Sequence, residues 1–182
     1  MLIQMKMIQL MARMMQINMI YSFEPIVSDN CKVLLLGTMP GVESLRKQQY
    51  YSYKYNVFWR IIYALFSREP DEKYENRKTF LLDHDIAVWD VLMACEREGS
   101  SDSDIKQPVP NDFISLYQQY PNIRSVCFNG GPACRLYSRF VNKKGEIDTS
   151  HTFYTLPSTS PAYTINFEKK LEQWRLLLQL IR

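Results

Sequence analysis

The residues best suited to chemistry lie in short, separated groups: Gly37-Thr38-Met39-Pro40-Gly41, the run Gln48 to Trp59, Trp89-Asp90, Asn129-Gly130-Gly131 and Leu156-Pro157-Ser158-Thr159-Ser160-Pro161. The first group makes tight turns and exposes backbone N–H groups, which suits either a phosphate or a polar base edge; a purely structural turn is the alternative. It is neither a P-loop nor a dinucleotide fingerprint, because the glycine spacing and the Lys-Ser/Thr pair are absent. The second group holds four tyrosines within six residues, Tyr50, Tyr51, Tyr53 and Tyr55, beside Lys54 and without an acidic neighbour. Such an aromatic and basic segment suits base stacking, although Tyr50 and Tyr55 are expected to be half-buried at the domain edge. Metal chemistry has little to work with. The four cysteines, Cys31, Cys95, Cys127 and Cys134, form no C-x-x-C pair, so buried reduced thiols in a cytoplasmic protein are expected, with no metal and no cofactor. A zinc deaminase is excluded for want of its His-x-Glu and Pro-Cys-x-x-Cys signature.

These groups fall where strands should end. Lys32–Gly37, Ile86–Leu92, Arg124–Phe128 and Thr152–Leu156 read as buried strands. Between and after them, Asn56–Phe66, Asp71–Asp83, Asn111–Tyr120, Pro132–Phe140 and Phe167–Ile181 read as helices, the fourth with proline in its first turn. The alternation predicts an α/β fold with a parallel sheet and helices on both faces. Ligands of such folds bind outside the carboxyl ends of the strands, which here gathers the groups into one composite site.

Composition sets further limits. With 182 residues, 46% apolar and 23% charged, the chain fits one globular domain rather than a disordered protein. No apolar run reaches membrane-spanning length. The net charge of +3 hides an uneven distribution: residues 44–68 carry 5 basic and no acidic side chains, and residues 121–182 carry a net +5. Residues 69–105 between them carry a net −7 and are expected to form a surface turned away from any polyanion, Asp90 excepted. Seven of nine methionines fall in the first nineteen residues. That start lacks the clean apolar stretch and cleavage site of a signal peptide, so residues 1–18 are expected to be an extension outside a single domain spanning 19–182.

Taken together, the Gly37–Gly41 loop with Ser44-Leu45, the Tyr50-Tyr51 pair, Asn56-x-Phe58-Trp59-Arg60-Ile61, Val88–Leu92, Cys95–Ser100, Phe128-Asn129-Gly130 and the late Leu156–Ala162 run resemble the uracil-DNA glycosylase superfamily, and within it the hypoxanthine (deoxyinosine) DNA glycosylase family. The resemblance covers roughly residues 31–165 in order. It implies a three-layer αβα sandwich around a four-stranded parallel sheet, and a monofunctional enzyme that flips deoxyinosine from DNA and hydrolyses its N-glycosidic bond. A uracil or mismatch glycosylase, or an inactive nucleic-acid-binding module, are the alternatives. The family pattern assigns Tyr51 to stacking on the flipped base and Asn56 to the attacking water, since Met39 occupies the position where relatives carry a water-activating Asp or Asn. A helix N-cap is the alternative role for Asn56. Asp90 matches the position that reads the base edge, with Thr38, Met39 and Asn129 around it; a carboxylate there accepts the N1–H of hypoxanthine and opposes the bare N1 of adenine, and a partly exposed strand-end carboxylate holding a loop is its alternative role. Gly41, Ser44, Ser158, Thr159 and Ser160 are assigned to the DNA backbone and Tyr163 to filling the vacated stack. The implied partner is DNA containing a deaminated base, bound by a monomer, with no membrane. Tyr53-Lys54 replaces a His-Pro usual in the family, which bears on base preference. His84 and His151 are expected to be structural or solvated, and no lysine is placed for Schiff-base chemistry.

Overall fold

The computed structural model describes residues 19–142 and 151–182; the Met-rich extension assigned to residues 1–18 lies outside the described residues. In chain order the elements are β1 (Met19–Tyr21), β2 (Val33–Gly37), α1 (Val42–Lys47), α2 (Phe58–Leu65), α3 (Tyr74–Leu82), β3 (Ile86–Asp90), β4 (Leu92–Glu96), β5 (Lys106–Pro110), α4 (Phe113–Gln119), β6 (Ser125–Asn129), α5 (Gly131–Leu136), β7 (Thr152–Leu156), α6 (Phe167–Trp174) and α7 (Leu177–Leu180).

Four strands form a parallel sheet in the order β3-β2-β6-β7. Strand β2, Val33-Leu34-Leu35-Leu36-Gly37, is buried along its whole length, as an interior parallel strand covered on both faces must be. At the edge, β7 buries only Leu156. One sheet face carries Trp89 and Phe128, whose rings meet Phe113 of α4 and Tyr137 just after α5. The other face, one residue out of step, carries Asp90 and Asn129. On that side α2 and α6 pack together, with Phe58 and Trp174 meeting edge to face at 6.0 Å. Helices thus cover the sheet on both sides, giving the three-layer α/β architecture.

A second sheet, antiparallel and in the order β1-β4-β5, was not foreseen. The single strand expected over Ile86–Leu92 ends at Asp90. After Val91, whose N–H donates to the Gly37 carbonyl at 2.9 Å, the chain enters the other sheet. Pro108 and Pro110 hide β5 from a strand reading, yet proline is tolerated on an edge strand, and among the described residues β5 pairs with β4 alone. The closing helix expected over Phe167–Ile181 is two shorter ones, and the helix after Pro132 passes at Tyr137 into a wider π turn through Val141.

The cysteines are free, with Cys31, Cys95 and Cys127 buried. His84 packs between Phe66 and Phe80 and His151 against Tyr117. Among the described residues no helix is long and apolar enough to cross a membrane.

Candidate active site

Strand register builds the floor of the site. Gly37 pairs with Asp90, and Leu36 with Phe128, so Asn129 falls into the same row. Successive strand residues alternate faces, which puts Gly37, Asp90 and Asn129 side by side at the carboxyl edge, on the side of α2. Asp90 is 3% exposed, far from the half-solvated carboxylate a strand end suggests. Ser22 donates its hydroxyl to Asp90 Oδ2 at 2.7 Å. Burial pushes the Asp90 carboxyl up to about 7, against the pull of the Ser22 hydrogen bond, with the Asp102 charge raising it further and Arg97 lowering it. Gly37 is there for space: a Cβ would lie 2.4 Å from Asp90 Oδ1 and 3.0 Å from the Tyr51 hydroxyl.

Tyr51 reaches this row through an unusual backbone. Its φ is +54°, a conformation that costs a bulky residue about 1–3 kcal/mol. The ring is pinned on Phe58, with centroids 3.8 Å apart and planes 15° off parallel. Its hydroxyl is buried without a hydrogen bond of good geometry, and burial, with the Asp90 charge second, pushes its pKa up. A buried polar atom left so at a cavity wall is one that a ligand can satisfy.

The walls come from loops tied to one another. Asn56 Oδ1 accepts the Phe58 N–H at 3.0 Å, which fixes the orientation of the amide; the N-cap of α2 is Val57 and has no side-chain cap bond, so Asn56 does not take the N-cap role given as its alternative. The next residue, Val57, donates its N–H to the Thr159 carbonyl at 3.1 Å. Asn129 uses both ends of its amide on Thr159, donating to Oγ1 at 2.9 Å and accepting the Thr159 N–H at 2.8 Å. Thr159 is fully buried. The pair therefore braces the Ser-rich loop, in which Ser158 Oγ accepts the Ser160 N–H and Ser160 Oγ the Ala162 N–H, each at 3.2 Å, and both serines line the cavity. Lys170 donates to the Ser160 carbonyl at 3.2 Å from below. Ser44 is buried and accepts the Ser52 N–H at 3.3 Å, joining α1 to the tyrosine loop. Met39 is buried beside them.

All the sequence-selected residues except Tyr163 line one cavity of about 580 Å³: Thr38, Met39, Gly41, Ser44, Tyr51, Asn56, Asp90, Asn129, Ser158, Thr159 and Ser160. Tyr163 stands over a neighbouring groove and is exposed. Two expectations need correction. Tyr50 is buried and Tyr55 is exposed, so neither is half-buried. Nor does the acidic segment turn wholly away, because Asp102 faces the cavity, accepts from Thr38 Oγ1 at 2.7 Å and lies 3.7 Å from the buried Arg97 guanidinium. Arg97 in turn donates to the Pro40 carbonyl, which pins the first loop.

Ser22 and Asp102 were not selected from sequence, Gly37 entered only as part of the first loop, and Arg97 only within the Cys95–Ser100 run. Gly37 carried a signal of its own only as a strand stop; the contacts of the others, Ser22 to Asp90, Asp102 to Thr38 and Arg97 to Pro40, span more than fifty residues and left no local pattern. Among the described residues no group of three or more His, Cys, Asp or Glu is placed to hold a metal ion. The arrangement offers a flat aromatic wall, a near-neutral carboxyl, an oriented amide and a rim of hydroxyls. That is equipment for binding a flat polar ring and placing a water.

Comparison with known proteins agrees. The model of the uracil DNA glycosylase superfamily matches residues 24–180. A hypoxanthine DNA glycosylase of Methanosarcina acetivorans is 41% identical over 158 residues, covering 86% of this chain and 96% of that protein. Another, from Methanosarcina barkeri, is 38% identical over 109 residues, covering 59% of this chain and 69% of that protein. A solution NMR structure from Methanosarcina acetivorans, described as a uracil DNA glycosylase, superposes with a TM-score of 0.75 at 32% identity, covering 90% of this chain and 98% of that one. The chain belongs to the uracil DNA glycosylase superfamily.

Proposed function

We propose that the protein is a monofunctional DNA glycosylase that takes deoxyinosine out of the stack and releases hypoxanthine. The observation that carries this reading is the meeting of Asn56, Asp90 and Tyr51 on one cavity. Its volume of about 580 Å³ lies within the usual range of about 300–1,000 Å³ for small-ligand sites. The relatives named as hypoxanthine DNA glycosylases give independent support.

Flipping costs a few kcal/mol, least for a mispaired base, and stacking on Tyr51 returns about 1–3 kcal/mol. Asp90 accepts the N1–H of hypoxanthine when ionised. An adenine ring nitrogen at the same place has no proton to give, and a buried acceptor left facing it is the stronger part of the discrimination. Asn56 has no basicity, so it orients water and does not deprotonate it. Its Oδ1 is already held by the Phe58 N–H, which leaves the amide N–H₂ and the second lone pair to a water. The reaction is accordingly dissociative: the C1′–N9 bond breaks with its electron pair leaving on the base, and the oriented water adds to the oxocarbenium-like sugar. The proton lost by that water neutralises the departing base. Ser158 and Ser160 grip the flanking phosphates, which position the strand without reading it.

Duplexes carrying inosine, uracil or xanthine, incubated with the purified protein and developed with alkali, test the assignment. Strand scission at inosine is expected, and none at inosine sinks the reading. Scission at uracil alone moves the protein to uracil repair, since uracil also presents a ring N–H to Asp90. Binding without scission on all three leaves an inactive module. Replacing Asn56 with Ala should lower kcat about 10²–10³-fold, the range for removing one preorganised polar group. The lost hydrogen bond to the Phe58 N–H should cost only about 1 kcal/mol of stability.

A further inference from the structure

Tyr53 and Tyr55 have no part in the chemistry above, yet they are 43% and 58% exposed. Large apolar side chains scattered singly over a surface need no explanation. These are not scattered: of the six exposed large hydrophobic side chains among the described residues, Val42 and Tyr53 line the cavity and Tyr55 lies against Tyr53. The two rings meet edge to face, centroids 5.5 Å apart and planes at 76°. Lys54 Nζ lies 4.7 Å from the Tyr55 centroid. Asn56 donates its N–H to the Tyr53 carbonyl at 2.8 Å, closing a four-residue turn. The aromatic pair is thereby fixed to the backbone of the residue assigned to the attacking water, and Tyr53 itself lines the cavity.

Resting on the reading of the cavity as a base pocket, we infer that Tyr53 and Tyr55 form a stacking platform for unpaired nucleotides next to the flipped base, and that these two rings set the preference between single-stranded and duplex DNA. In a duplex the neighbouring base faces are hidden in the stack, and exposed rings at the mouth meet only sugar and phosphate. In a single strand those faces are open, and every base offers one. Charge agrees with this occupant at the rings themselves: Lys54 beside Tyr55 stands ready for the phosphate between two stacked bases.

The test compares the parent with Tyr53→Ala, Tyr55→Ala, the double variant and the Tyr53→Phe/Tyr55→Phe pair. Affinity for a lesion-free oligothymidylate and for a duplex of equal length is read by fluorescence anisotropy, and KM and kcat on deoxyinosine in each form are read alongside. The expected result is a fall of about tenfold per ring in single-strand affinity, a matching rise in single-strand KM with kcat held, and a single-strand-to-duplex ratio that collapses in the double variant. The phenylalanine pair keeps the ratio, because the rings remain. A ratio unchanged by the double variant, or a parent that does not bind the single strand, overturns the inference. A parent whose rings hold oligothymidylate but which cuts no deaminated base upholds the platform and sinks the glycosylase reading, so the two failures are separable.

Discussion

The floor and the rim of the cavity are built on opposite terms. Gly37, Asp90 and Asn129 lie on three neighbouring strands, locked in register by backbone pairing, and the two that carry side chains have partners, Ser22 for Asp90 and Thr159 for Asn129. The rim residues Tyr53, Tyr55 and Tyr163 sit on loops and are exposed. A buried polar group with fixed partners cannot rearrange for the wrong ligand, so mismatch there is costly. An exposed ring costs little to move and accepts any flat face. The floor is therefore placed to choose the base and the rim to choose the form of the DNA. Variants should obey the same division: floor changes large and indifferent to strandedness, rim changes small and dependent on it.

The largest effect should come from the smallest residue. Gly37→Ala puts a methyl 2.4 Å from Asp90 Oδ1 and 3.0 Å from the Tyr51 hydroxyl. Neither neighbour has room to retreat, since Asp90 is buried and Tyr51 is held against Phe58. Overpacking of this kind costs about 1–3 kcal/mol, and a displacement of about 1 Å in a site loses about 10²-fold in rate. With both the base reader and the stacking ring displaced, a loss of about 10³-fold in kcat/KM is expected, equal on single and double strands. If Gly37→Ala cleaves within tenfold of the parent, the floor is not the rigid element described.

How much of this division is legible in the sequence follows from the range of the forces involved. Uninterrupted runs such as Val33–Leu36 announce interior parallel strands, and the carboxyl-edge rule then gathers Thr38, Asp90, Asn129 and Ser158. The row itself is not legible, because register is a property of two strands and Gly37 looks like a stop. The tyrosine loop defeats alternation for a local reason: Tyr51 at φ +54° turns the chain, so Tyr50 goes in and Tyr55 goes out. The Asp102 and Ser22 contacts span 64 and 68 residues and leave no periodic trace. Strand β5 is hidden by its own prolines.

Asp90→Asn probes the floor more gently. In the folded chain Asp90 keeps its proton up to about pH 7, whereas an unfolded aspartate releases it near pH ~4. Between those values the folded state holds more protons than the unfolded state, so stability falls as pH rises across the window and is level above it. Replacement by a neutral amide removes that penalty, so the gain in Tm over the parent should grow from pH 5 to pH 8. The upper bound is on the order of 4 kcal/mol, since each pH unit of that window contributes about 1.4 kcal/mol. Activity should move the other way. If the carboxylate receives the N1–H, parental kcat/KM on inosine rises through about pH 7, the limb vanishes in the variant, and the rate at pH 8 drops about 10²-fold. A parental rate that instead falls through pH 7 makes the protonated acid the working form.

The smallest effect belongs to Tyr163, on the far side of the mouth. It is 46% exposed, with Lys170 Nζ 5.5 Å from its ring centroid, and it stands over the neighbouring groove rather than the base cavity. Tyr163→Ala should leave stability within about 0.5 kcal/mol, as at other exposed sites away from caps and cores. If its ring fills the gap left by the flipped nucleotide, its contribution exists only where there is a stack to fill. Cleavage of paired inosine should then fall about tenfold, mispaired inosine less because its opening costs less, and single-stranded inosine not at all. That order is the reverse of the one expected for Tyr53 and Tyr55. Two sets of rim tyrosines with opposite strandedness signatures, above a floor indifferent to strandedness, would make the division of labour quantitative. Equal losses on all three substrates would instead place Tyr163 with the floor and remove the contrast on that side of the mouth.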